Sequence, residues 1–110
     1  MNWLDEIELE LNRGHDAERV GNEGKARTAA RRAVGMAVTE YQKRQAVNAY
    51  GADVMRQLQG IAEDESLPNE VRGAASRLQT RISQEFTSPS RQPLADAQVI
   101  IDFIKRRLTS

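Results

Sequence analysis

Residues 22–45 read NEGKARTAARRAVGMAVTEYQKRQ, the longest uninterrupted helical pattern in the chain, and they constrain the fold more than any other stretch. Ala26, Ala30, Ala33 and Ala37 step by four, three and four, so a helix gathers them into one narrow strip of methyl groups. Ala29, Val34, Met36 and Tyr41 flank it. Such a strip buries little area, about 0.8 kcal/mol per carbon group. What it offers is close approach, because a neighbouring helix can pack nearer than leucine would permit. A helix of this kind belongs at the centre of a bundle, touched on more than one flank.

Composition fits that reading. Apolar residues make up 39% of the 110 and charged residues 29%, the balance of amphipathic helices that each expose a wide polar face. The apolar residues recur at helical spacing, which argues against disorder, and the length suits one domain with its own core. Sixteen basic and sixteen acidic residues cancel, so no global field draws in nucleic acid or membrane, and an electrostatic site needs local segregation of charge. The absence of cysteine removes disulfides, thiolate metal sites and cysteine nucleophiles. No cofactor and no metal are expected. The start, MNWLDEIELE, has neither the basic nor the apolar region of a secretory signal. No run approaches the roughly 20 apolar residues of a membrane span. The expectation is a cytoplasmic protein with no membrane association.

The pattern predicts an all-α, up-and-down bundle of four to five helices in a single domain spanning 1–110, with helices over about 2–20, 22–45, 50–64, 68–86 and 94–108. Asn2 is a natural N-cap for the first helix, whose inner side carries Trp3, Leu4, Ile7, Leu11, Gly14 and His15. Gly21-Asn22 is a tight turn, making the first two helices an antiparallel hairpin. The third helix places Val54, Met55, Leu58, Ile61 and Ala62 on one face. Gly51 and Gly60 each cost it about 1 kcal/mol of propensity, so it depends on packing. Pro68 restarts the chain as a fourth helix carrying Val71, Ala74, Ala75, Leu78 and Ile82. Residues 87–93, with two prolines and two serines, form a loop before a closing helix lined by Leu94, Ala97, Ile100, Ile101, Ile104 and Leu108.

The candidate site is the other face of the alanine helix. Lys25, Arg27, Arg31, Arg32 and Lys43 project from it, with Thr28, Thr39 and Gln42 among them, and residues 22–45 carry a net +4. Guanidinium groups bind phosphate bidentately, so a nucleotide or RNA backbone is one reading. The other is that this face solvates the helix and pairs with the first helix, whose net charge is −4. The segment Gly21-Asn22-Glu23-Gly24-Lys25-Ala26 is not a phosphate loop: two residues separate its glycines instead of four, and alanine stands where serine or threonine would hold magnesium. His15, the only histidine, reads as a helix-face residue at the core boundary; Asp16 points elsewhere on the helix and gives it no catalytic partner. The acidic residues of the first helix read as a solvated face, and Trp3 as core or end-capping packing.

An acidic first helix, a Gly-Asn turn, an alanine-rich second helix (Ala26 to Val38), a shorter third, a Leu67-Pro68 restart, a Ser/Pro loop and a closing amphipathic helix follow in order. This order of parts resembles the HEPN superfamily of small helical bundles. The resemblance implies a homodimer. It also implies either a ribonuclease or a non-catalytic accessory partner of a minimal nucleotidyltransferase. Ribonuclease members use an arginine followed after four to six residues by a histidine. Here no arginine lies that far upstream of His15, and Arg81 is followed by Phe86, Thr87 and Ser88, none of which can act as an imidazole. The resemblance therefore implies the non-catalytic branch: a self-associating binding domain that engages a partner protein, nucleotide or RNA. A purely structural oligomer, or a ribonuclease-like enzyme without the Arg/His motif, is the alternative.

The strip carries its own test. An Ala33→Leu substitution should overpack the bundle centre and cost about 1–3 kcal/mol, read as a lowered midpoint in thermal or urea unfolding. An unchanged midpoint would place the strip on the surface.

Overall fold

In the computed structural model, which describes residues 2–46, 49–79 and 92–109, the chain forms an up-and-down bundle of five helices with no sheet among the described residues. They are α1 (Trp3–Arg19), α2 (Glu23–Gln45), α3 (Val54–Glu63), α4 (Asn69–Gln79) and α5 (Pro93–Thr109). Local chemistry accounts for most of the boundaries. The Asn2 side chain accepts the Asp5 N–H at 2.9 Å and starts α1, and Asn22 accepts the Lys25 N–H at 3.1 Å and starts α2. Between them Gly21 takes a φ of 77°, the left-handed conformation that glycine adopts cheaply and that turns the chain into the hairpin. Pro93 opens α5, a position where its missing N–H costs nothing.

One boundary differs from expectation. The third helix begins at Val54 and not at residue 50, because Gly51 adopts a φ of 82° and Asp53 caps the helix by accepting the Arg56 N–H at 3.1 Å. The described part of α4 ends at Gln79, so Ile82, Arg81, Phe86 and the Ser/Pro loop through Arg91 lie outside the described residues.

The core is built around α2. Ala26, Ala29, Ala30, Ala33 and Ala37 are all buried, the last three completely. α1 and α5 pack along this helix, α3 touches it more lightly, and α4 closes against α3 and α5. Larger side chains from the surrounding helices, among them Leu58, Leu78, Ile100 and Ile101, fill the remaining space. Gly14 marks the tightest approach: a Cβ there would lie 2.5 Å from Leu94 Cδ2 and 3.1 Å from Ala29 Cβ. Bare backbone at position 14 lets the hairpin close and the first turn of α5 seat against it.

Buried polar groups tie the shorter helices to this centre. Gln42 donates to the Gly51 carbonyl and accepts the Tyr50 N–H, both at 2.8 Å, while Gln57 donates to the same carbonyl at 3.0 Å. The sequence pattern places Gln42 on the solvent face; it is buried instead, where its amide serves the Tyr50 N–H and, together with Gln57, the Gly51 carbonyl. Between α4 and α5, Arg77 holds Asp96 bidentately, with its shortest contact at 2.8 Å. The Tyr50 hydroxyl donates to Asp64 at 2.5 Å, so the residues before and after α3 are clasped together. Burial, and then this bond to Asp64, push the Tyr50 hydroxyl well above the usual phenol range. Hydrogen bonds from Ser66 and then from Tyr50 hold the Asp64 carboxyl below the usual carboxylate range.

The clasp explains Gly60. The Tyr50 ring lies across it, and a Cβ at position 60 would come within 2.7 Å of Tyr50 Cδ1. At an open helical site, Gly→Ala would gain about 1 kcal/mol. Gly60→Ala should instead lose about 1 kcal/mol net, because overpacking strain of about 1–3 kcal/mol acts against a ring held at its hydroxyl. Urea unfolding of the variant measures this, and a gain in stability would show that the ring yields.

Candidate basic groove on the second helix

Arg27, Thr28, Arg31 and Arg32 occupy one and a half turns of α2 and, with Gly24, form one wall of an open groove of about 500 Å³. Val54 and Met55, at the first turn of α3, form the other. The apolar wall stands where it does because Gly35 is bare. A Cβ there would come within 3.3 Å of Val54 Cγ2, so α3 begins hard against the backbone of α2. The Gln42 and Gln57 bonds to Gly51 then fix the chain just ahead of that first turn.

Each groove arginine also has work inside the chain. Arg31 Nε donates to the Leu78 carbonyl at 2.8 Å, linking α2 to the last described turn of α4. Arg32 approaches the buried Glu10 of α1 at 3.8 Å, and Arg13 donates to the same carboxylate at 3.0 Å. Arg27 is half-buried and has partners of its own within the chain. Thr28 donates its single hydroxyl proton to the Gly24 carbonyl at 3.0 Å, so what its oxygen has left to offer is acceptor capacity.

The structure therefore gathers three of the five candidate residues. Lys25 is exposed at the start of α2 and does not line the groove, and Lys43 is exposed near its far end, about 16 Å from Arg32 at 1.5 Å per residue. Pairing across the α1–α2 hairpin is seen at Arg32–Glu10, whereas Arg19–Asp16, Arg13–Glu10 and Arg44–Glu40 pair within their own helices. Glu10 is thus no part of a solvated acidic face; it is buried at the seam of the hairpin. Val54 and Met55 are legible in the sequence only as core positions, since nothing local shows that they border arginines more than twenty residues earlier.

His15 points outward, its side chain 58% exposed, with Glu18 at 3.7 Å. It lies more fully in solvent than a core-boundary position implies. Trp3 packs at the end of the hairpin with the Arg44 guanidinium 5.6 Å from its ring centre. Among the described residues no group of three or more histidine, aspartate or glutamate side chains could hold a metal ion. No described helix is long and apolar enough to cross a membrane.

No family model matches the chain, and neither a curated protein nor a solved structure does so. The likeness to HEPN bundles consequently rests on the order of its elements alone.

The two most similar arginines have different duties, which unfolding experiments separate. Arg31→Ala should cost about 1–3 kcal/mol, because the Leu78 carbonyl loses a charged donor. Arg32→Ala should stay within about 0.5 kcal/mol, since Arg32 is largely exposed and Arg13 remains on Glu10. Equal losses in denaturant titration would show that the Arg31–Leu78 link does not hold α4.

Proposed function

We propose that this chain is a non-enzymatic binding domain that engages a phosphate-bearing ligand, of nucleotide or RNA type, through the basic face of α2. The observation that carries the reading is the convergence of Arg27, Arg31 and Arg32 in one groove. Arg27 and Arg31, four residues apart on the helix, repel one another by a few tenths of a kcal/mol, and a bound anion reverses the sign of that term. Guanidinium is suited to the task, because its planar fork meets phosphate oxygens two at a time.

In the same reading the bundle is HEPN-like, of the non-catalytic branch, and works as a homodimer beside a protein such as a nucleotidyltransferase. Its support is the sequence of five helices around an alanine-rich second one.

Sedimentation velocity with a fluorescent nucleotide or short RNA tests both parts at once. At low salt the probe should travel with a species of about twice the 12.3 kDa chain mass. Arg27→Ala/Arg32→Ala should weaken its binding by about tenfold or more, the loss expected of charge-assisted hydrogen bonds worth about 1.5–3 kcal/mol. A probe that stays behind at low salt would overturn the ligand proposal. A monomeric boundary at all concentrations would overturn the dimer.

A further inference from the structure

The composition of the groove narrows the ligand. We infer that it takes a small organic phosphomonoester bearing hydroxyl groups and a compact apolar part, and not a nucleic-acid strand; this rests on the anion-binding reading of the same groove.

The cationic wall is short. From Arg27 to Arg32 it rises about 7.5 Å along the helix, room for one phosphoryl group or two. Strand binders commonly neutralise about 6–10 phosphates. Here the chain as a whole has no net charge, and Lys25 and Lys43 do not extend the wall. A strand is also held by aromatic side chains on which bases stack. Among the described residues none lines this groove: Trp3 packs beneath Arg44, and Tyr41, Tyr50 and Phe103 surround a small apolar cavity of about 20 Å³ elsewhere.

The remaining lining suits a small molecule with two unlike ends. Val54 and Met55 give the ligand an apolar wall, and methionine adapts its shape to what meets it. Thr28 has already given its proton to Gly24, so it acts here as an acceptor. It would repel a bare phosphate oxygen and welcome a ligand O–H. A volume of about 500 Å³ lies within the range of small-molecule sites. Sugar phosphates and nucleoside monophosphates share this chemistry.

Calorimetric titration of the full chain with inorganic phosphate, a hexose phosphate, a nucleoside monophosphate and a short single-stranded RNA tests the inference. Both organic phosphates should bind about tenfold more tightly than inorganic phosphate, a difference of about 1.4 kcal/mol. Met55→Ala should erase that advantage and leave inorganic phosphate unaffected, Met55→Leu should restore it, and Lys43→Ala should change nothing. Which organic phosphate binds better identifies the source of the ligand. RNA binding more tightly than either, with a salt slope steeper than about −3, would overturn the inference and leave the anion-binding reading standing. Equal affinity for organic and inorganic phosphate, untouched by Met55→Ala, would do the same. If no anion binds, both fall together.

Discussion

The close approach of other helices to α2 is the contact on which the bundle depends. Ala30, Ala33 and Ala37 have no exposed surface, and Gly14 brings the backbone of α1 to Ala29 and Leu94 with no room for a methyl group. Small residues contribute little burial energy individually. Their effect is geometric, since they shorten the distance at which the large aliphatic side chains of α3, α4 and α5 meet across the core. Dispersion between those side chains falls off within an ångström of separation. The strip therefore governs energy that other residues supply.

Close packing alone would leave α3 and its junctions with α2 and α4 weakly placed, because the helix has only 10 residues and carries Gly60 inside it. Buried polar bonds position them instead. Gln42 and Gln57 converge on the Gly51 carbonyl, Tyr50 reaches Asp64 across α3, and Arg31 reaches Leu78. Arg77 and Asp96 join α4 to α5, a bidentate pair whose half-exposed arginine limits its worth to about 1 kcal/mol or less. A buried amide or carbonyl without a partner costs more than the same bond gains, so these contacts select one arrangement by penalising the others. The glycines at 35 and 60, which only lower helix propensity when considered locally, are the places where Val54 and Tyr50 lie against helix backbone.

The basic groove stands where these two kinds of contact meet. Its arginines come from the outward side of the alanine helix, and its apolar wall comes from the first turn of α3, held in place by Gly35 and the glutamine bonds. The five candidate residues on α2 were visible in sequence, but their division was not. Helical phase places Arg27 and Arg31 one above the other. It says nothing of Leu78, which draws Arg31 towards α4, or of Glu10, which draws Arg32 towards α1. The acidic first helix and basic second helix invited an extended charge ladder, yet most of the acidic side chains found partners on their own helix or faced water.

The sequence by itself determined the helical class, the caps at Asn2 and Asn22, the left-handed turn at Gly21 and the inward strip of α2. Each follows from residues within about three turns of one another, where periodicity and backbone sterics suffice. Only the tertiary structure decided which polar residues are interior, where α3 begins, and which arginines share a groove. Those outcomes depend on partners far apart in the chain: Arg31 and Leu78 are 47 residues apart, and Arg77 and Asp96 are 19 apart. A side chain's local pattern gives its direction from its own helix, but the hydrogen-bonding group it meets is set by how the helices cross.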